Sequence, residues 1–576
     1  MILLIKKYLR GYAALLAVLA PCLMFLEVFM DLQQPTLMSD IIDNGVAAGN
    51  LNYVIDTGLK MVMYALLGLI GGAGCGICAT YAAVNMGGKL RNSLFAHIQS
   101  LSFAEIDKLK TSSLITRITN DIMQVQNMVM MLLRSIRAPM LCIGGVIMSF
   151  VLSPKLALVL CVSLPVLIAF TYLIIRKTIP MHTILQDNID KINTVMRENL
   201  LGVRVVKAFT MENKQFKRFT AANDELAAAS IEAQTSTFLM MPVVTLIMNL
   251  SIVAILWFGG NMEIAGSLPT GRIMAFINYM VQITNSLVML VNFIMNFSRA
   301  HTSAKRINEV FSTKPAISEA IKTCEPKGSD IEFANVYFRY GSTGDYVLHD
   351  LTFSIKQGKK VGIIGATGCG KSTLVSLIGR LYDATSGSIT IGGANIKDIP
   401  LKTLRTTIGM VLQESLLFSG TVEENLRYGN ETASDEDIRN AAKAAAALEF
   451  IEMLPQKFKS VVEQRGKNFS GGQKQRLSIA RTLLRKPEII ILDDSTSAVD
   501  FATEAKLQTA IWQMMSDKTI ILVAQRISAV MNCDIIIALD KGRLAGIGSH
   551  SELMKSCEIY RSIAISQLGE EAIKYA

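Results

Sequence analysis

The chain has 576 residues, 51% of them hydrophobic and 18% charged, with a mean hydropathy of +0.38. That is too apolar for a wholly water-soluble protein, and the length predicts two or more domains. The formal charge of +10 requires no nucleic-acid partner, because cations retained beside membrane spans account for it.

Charge is sparse in the first half and ordinary in the second, which predicts a membrane part followed by a soluble part. The nine cysteines are scattered and give no disulfide framework. Cys75 and Cys78 form a C-x-x-C inside an apolar helix with no second pair, so they read as small packing residues. The first apolar run lacks a clear cleavage site, so no removable signal peptide is expected.

Six segments are apolar enough to cross a bilayer: 12–30, 61–84, 138–151, 156–175, 238–259 and 273–297. A span needs about 20 mostly apolar residues. The third segment is short and is expected to borrow length from residues 128–136; Pro165 predicts a kink in the fourth. Lys6, Lys7 and Arg10 precede the first span. Lys89, Arg91, Lys108, Lys110, Arg117, Arg134 and Arg137 lie between spans two and three. A further cationic stretch, Arg176 to Arg218, lies between spans four and five. The opposite loops carry Asp31, Asp40 and Asp43 instead. This asymmetry predicts cytoplasmic termini and a multi-pass protein. The two long internal loops keep apolar residues at helical spacing, as at Met196, Leu200 and Val203, and read as extensions of the membrane helices.

Glu27 is the ionisable residue inside the first span. A carboxylate at that depth faces a cavity or a partner, unless it lies near the outer interface, since Asp31 follows one turn later. The last span mixes Met274, Phe276, Asn278, Tyr279, Met280 and Gln282. This composition suits either a wall that accepts varied apolar guests or ordinary helix packing. Glu27, Phe276 and Met280 are therefore the candidate substrate-cavity residues. A charged connection follows, dividing the chain into a membrane domain (1–310), a linker (311–328) and a nucleotide domain (329–576).

From Ile331 the pattern turns to short strands, helices and Gly-rich turns. Gly365-Ala-Thr-Gly-Cys-Gly-Lys-Ser372 matches the phosphate-cradling loop G-x-x-x-x-G-K-[ST]. It follows the apolar run Lys360–Gly365 and opens a helical pattern. Glycine at 365, 368 and 370 lets the backbone wrap a polyphosphate. N–H groups around Thr367, Cys369 and Thr373 can point at the anion. Lys371 can reach the outer phosphates, and the Ser372 hydroxyl can hold Mg²⁺. ATP and Mg²⁺ are the expected cofactors. Tyr340, in Val336-Tyr-Phe-Arg-Tyr340, can stack on an adenine. Further on come Gln413 in Val411-Leu-Gln-Glu-Ser415, Ser470-Gly-Gly-Gln473 before a helix, Ile489-Ile-Ile-Leu-Asp-Asp494 as a strand ending in carboxylates, and Ser497-Ala-Val-Asp500.

This set resembles the nucleotide-binding domain of ABC transporters. With six preceding spans the whole chain resembles a half-transporter of the bacterial exporter type. The resemblance implies six transmembrane helices with cytoplasmic extensions joined to an α/β P-loop ATPase, in a bacterial cell membrane. It implies that two such domains close face to face on ATP. Each nucleotide then lies between one chain's phosphate loop and the other chain's Ser470, Gly471, Gly472 and Gln473. Gln413 would sense Mg²⁺ and the γ-phosphate, Asp493 would hold the metal, and the tips near Ser102–Lys108 and Thr210–Phe216 would transmit closure. Expected partners are a second half-transporter, membrane lipids and a small hydrophobic substrate.

Two positions depart from the family. After Asp493 the family has a glutamate that polarises the attacking water; here it is Asp494. Where the family has a histidine on the γ-phosphate, this chain has Gln525. The usual Gly-Glu pair before the signature is also altered in Glu463-Gln-Arg-Gly466, and Phe469 replaces a leucine. The expectation is a site that binds ATP but hydrolyses it poorly, beside an intact signature that completes a different partner's site, as in heterodimeric multidrug exporters. A homodimeric lipid or peptide exporter and a nucleotide-gated channel are the alternatives.

Overall fold

The computed structural model describes residues 1–319, 324–341, 343–494 and 501–573. They form two compact units: Met1–His97 with Ser112–Ser312, and Ile98–Thr111 with Thr313–Ala576.

The first unit is helical: α1 (Tyr12–Asp40), α2 (Leu51–Ser100), α4 (Ile122–Arg134), α5 (Arg137–Leu152), α6 (Pro154–Leu201), α7 (Glu212–Phe238), α8 (Met240–Ile264) and α9 (Thr270–Ser312). The short α3 (Phe103–Leu109) belongs to the second unit. Among the described residues, six helical runs are long and apolar enough to cross a membrane. At about 1.5 Å per residue, the 50 residues of α2 far exceed a hydrocarbon core of about 30 Å, so its excess projects from the bilayer as a continuous helix. Large apolar side chains such as Val18, Phe25, Leu66, Val162 and Leu250 are exposed, as expected of a surface whose solvent is lipid.

Inside the unit, Leu156, Leu160, Ile255, Ile273, Phe276, Met280 and Ile283 form one buried cluster. Phe276 and Met280 are fully buried there. Of the two readings of this span, helix packing is the one this burial supports for them: their face of α9 packs on α6 and α8. Tyr279 ties α9 to α1, donating to the Leu32 carbonyl at 2.6 Å and sharing a 2.8 Å hydrogen bond with Thr36. At the far ends of the helices, buried Arg117 donates to the Arg306 carbonyl at 2.9 Å and pairs with Glu309 at 2.8 Å. Buried Asp121 accepts from Ser303 at 2.8 Å.

In the second unit, β1 (Ile331–Phe338), β2 (Leu348–Ile355), β4 (Ser386–Ile391) and β5 (Ala394–Asn395) form an antiparallel sheet in the order β2-β1-β4-β5. A six-stranded sheet is formed by β3 (Lys360–Gly365), β6 (Ile408–Val411), β7 (Ile489–Asp493), β8 (Thr519–Val523), β9 (Ile535–Asp540) and β10 (Arg543–Gly548), in the order β10-β9-β3-β8-β7-β6. Parallel pairing joins β9, β3, β8, β7 and β6. Strands covered on both faces must be apolar throughout, and Ile489–Asp493 and Thr519–Val523 are buried at every position. The parallel arrangement brings the carboxyl ends of β3, β7 and β8 to one edge, where open α/β sheets bind ligands.

Candidate functional site

The loop leaving β3 is shaped by its glycines. Gly368 and Gly370 have φ of +82° and +98°, a region a side chain rarely tolerates. A Cβ at Gly365 would fall 2.3 Å from the Leu539 carbonyl oxygen. Gly370 caps α10 (Lys371–Ile378), so the loop ends on the amide-rich end of a helix, where an anion is favoured. Lys371 Nζ donates to the carbonyls of Gly365 at 2.8 Å and Ala366 at 2.9 Å. Its ammonium is thus held in the bend that a polyphosphate would enter. Cys369 is buried, and burial raises its thiol pKa, with Lys371 opposing.

Ser372 Oγ donates to Asp493 Oδ1 at 3.1 Å. Burial pushes the Asp493 carboxyl above the usual range, aided by Asp494 and opposed by the Ser372 hydrogen bond and Lys371. A hydroxyl and a carboxylate this close fit a hard, oxygen-loving cation whose remaining ligands are phosphate oxygens and water. Among the described residues there is no cluster of three or more His, Cys, Asp or Glu side chains, so Mg²⁺ here would be held largely through its nucleotide.

Asp494 stands past the end of β7 in a left-handed conformation, φ +45°, its amide bonded to the Val523 carbonyl at 3.0 Å. Its Oδ2 accepts from Gln525 Nε2 at 2.8 Å and from Gln413 Nε2 at 3.4 Å. The two residues that depart from the family therefore touch each other, and Gln413 joins them. Neither amide can carry a positive charge or take up a proton. Gln525 is itself fixed from the C-terminal helix, a contact the sequence did not disclose: Gln567 Nε2 donates to the Gln525 carbonyl at 2.8 Å, and Gln567 Oε1 accepts from Ile527 N at 2.8 Å.

Tyr340 is half exposed and shares a 3.0 Å hydrogen bond with Thr373 beside the phosphate loop. Its ring meets Tyr382 edge-on at 5.3 Å. Tyr382 was not singled out by the sequence, yet its hydroxyl donates to Asp107 of α3 at 2.6 Å and its ring lies 6.4 Å from that of Phe103. Burial and the Asp107 carboxylate push the Tyr382 phenol above its ordinary range. The expected transmission tip is thus joined by named contacts to the expected adenine platform.

Ser470 caps α11 (Gly471–Leu484) through a reciprocal box. Ser470 Oγ accepts from Gln473 N at 3.3 Å, and Gln473 Oε1 accepts from Ser470 N at 2.9 Å. Ser470 and Gly471 are exposed, while Gly472 and Gln473 are half-buried. Phe469 is buried against Phe450, with ring centroids 6.3 Å apart. The motif at 497–500 lies outside the described residues.

In the membrane unit, Glu27 lines a cavity of about 820 Å³ with Asp31, Arg134 and Arg137. Arg137 pairs with Glu27 at 3.4 Å and Asp31 at 2.8 Å. A Cβ at Gly72 would fall 2.8 Å from the Glu27 carboxylate, so glycine there gives the side chain its room. Arg134 and Arg137, counted among the cations between spans two and three, lie within the helical run Thr111–Leu152. Glu27 and Arg137 each lie about 20 Å from the far end of their helices.

This fold and site define an ATP-powered membrane transporter. The chain matches the ABC transporter transmembrane region family over residues 18–287 and the ABC transporter family over residues 348–497. It is 41% identical over 98% of both chains to the uncharacterized ABC transporter ATP-binding protein YfiB of Bacillus subtilis, and 36% identical over 82% of both to YknU of the same organism. The structure is similar to that of a bacterial Atm1-family ABC exporter with ATP bound, at 25% identity and a TM-score of 0.81, covering 97% of this chain and 99% of that one. The protein belongs to the ABC transporter family: a half-subunit with membrane and ATPase domains and the Atm1-family exporter fold.

Proposed function

We propose that this chain is one subunit of a heterodimeric exporter of amphipathic compounds in a bacterial plasma membrane. Its termini and ATPase domain lie in the cytoplasm, and its own ATP site binds nucleotide tightly but turns it over slowly. One observation carries the reading: Asp494 and Gln525 meet at 2.8 Å at the strand end where the attacking water would be polarised. Aspartate holds its carboxylate about 1 Å short of a glutamate's reach, a displacement that can cost roughly 10²-fold. General-base positioning as a whole contributes roughly 10²–10⁴-fold. The neutral Gln525 amide offers the γ-phosphate no cation.

The Ser470–Gln473 cap, by contrast, is well formed and exposed. It supports a role on a nucleotide held by another chain. The apolar tip formed by Phe209, Met211 and Phe216 is exposed on its own unit, which favours its burial against a partner. A slow homodimer is the competing reading, since the same Asp494 would then face an intact signature twice.

Vanadate trapping on the assembled transporter separates them. With a radiolabelled photoreactive ATP, this chain should retain unhydrolysed triphosphate while its partner chain holds trapped diphosphate. Equal trapped diphosphate on this chain refutes slow turnover. A purified complex holding this chain alone, with full ATPase activity, refutes the heterodimer.

A further inference from the structure

The charged cavity of the membrane unit shows more than its lining suggests, and what it discloses rests on the exporter reading. Three features converge there. First, Arg137 is shared between Glu27 and Asp31, and its Nε is buried without a hydrogen-bond partner among the described residues. Second, Arg134 lines the same cavity and makes no ion pair or hydrogen bond among the described residues. Neither carboxylate has a buried oxygen without a partner. The groups that argue for a ligand are thus the donors of Arg134 and the buried Nε of Arg137. Third, the helical ladder breaks here: α4 ends at Arg134, α5 begins at Arg137, and Ala138 N bonds only three residues back, to the Ser135 carbonyl at 3.3 Å. Ser135 and Ile136 keep helical dihedrals, so the run stays helical while its hydrogen-bond ladder skips a step beside the cavity.

Arg134 is exposed to the cavity and feels the Glu27 charge but closes no ion pair with it, and ionisable residues at membrane depth mark substrate paths. Around it the wall is apolar: Met24, Leu69, Met131, Met289 and Phe293. Thioethers and a ring conform to varied hydrocarbon shapes, and the volume lies in the range that holds a small ligand. We infer that this cavity selects amphipathic anions: Arg134 takes a carboxylate, sulfonate or phosphate head, and the methionine-lined wall takes the apolar body. Guanidinium is suited to this because its planar fork meets such groups with two parallel hydrogen bonds. Glu27 and Asp31 hold Arg137 in place and repel a second anion, which limits the cavity to one head.

Matched probes test this on the assembled transporter in nanodiscs of neutral lipid: pyrenebutyrate, pyrenebutanol and pyrenebutylammonium share one body and differ in head charge. Binding is read by probe fluorescence, with empty discs subtracted. Pyrenebutyrate is expected to bind at least about tenfold more tightly than the alcohol or the ammonium, the scale of one charge-assisted contact. Arg134→Gln should erase that preference, shifting pyrenebutanol affinity less than about twofold, and Arg134→Lys should keep part of it. Glu27→Gln should tighten pyrenebutyrate by loosening Arg137, the opposite of what mere structural damage does. The inference is overturned if the alcohol or ammonium binds as tightly as the carboxylate, if no probe binds, or if Arg134→Gln leaves the preference intact. A water-solvated Arg134 with no ligand role gives that last result. Should Arg134→Gln fail to assemble, the three probes on the unaltered complex decide alone. Binding needs no hydrolysis, so ATPase activity measured alongside reads the exporter function separately.

Discussion

Damage to ATP turnover should follow the signature of this chain more than its own strand end. Gly471 is the first residue of α11 and is exposed beside the Ser470 cap. Gly471→Glu would set a carboxylate against the phosphate of a nucleotide approaching that helix end. Two like charges about 4 Å apart at a protein surface repel by about 4 kcal/mol at an effective dielectric of 20, roughly a thousandfold in rate or occupancy. Ser470→Ala removes one donor, which can cost roughly 10²–10³-fold in turnover. The lost cap costs the helix only about 1 kcal/mol. Asp494→Ala removes a carboxylate already bonded to two neutral amides, and turnover by the complex should fall less than about threefold. The assay is steady-state ATP hydrolysis by the co-purified pair, with thermal melting alongside to show that the signature variants remain folded. If Asp494→Ala abolished hydrolysis while Gly471→Glu left it intact, this chain would own a self-sufficient site and the degenerate-site reasoning would fail.

Lys371→Ala removes the ammonium that spans the Gly365 and Ala366 carbonyls; nucleotide occupancy of this chain, read by photolabelling, should fall at least about tenfold. Tyr340→Ala removes a half-exposed ring and its Thr373 contact, and nucleotide affinity should drop by about 1–3 kcal/mol if a base stacks there; unchanged affinity rules the platform out. Gln567→Ala deletes two hydrogen bonds and strands the N–H of fully buried Ile527. A loss of about 1–3 kcal/mol should lower the melting temperature of the ATPase domain by several degrees. An unaltered melting curve would show that the C-terminal helix does not brace the Gln525 segment.

Much of this protein is legible in its sequence because phosphate chemistry is local along the chain. The loop from Gly365 to Ser372, the Ser470–Gln473 cap and the Asp493–Asp494 strand end each use consecutive backbone and adjacent side chains. Hydropathy likewise locates the six spans, since lipid demands an unbroken apolar run. Helix rotation and pairing across hundreds of residues are not encoded that way. Phe276 and Met280 have the composition of a cavity wall but face α6 and α8. Arg137 counts as one cation among many between spans two and three until α1 brings Glu27 and Asp31 beside it. Tyr382 and Gln567 belong to no motif, and only packing places one against Asp107 and the other against Gln525. The sequence by itself determined where the phosphate-type loop, the helix cap and the carboxylate strand end lie. The tertiary structure alone decided which charges share the membrane cavity, because a buried charge is positioned by whichever distant partner offsets its desolvation.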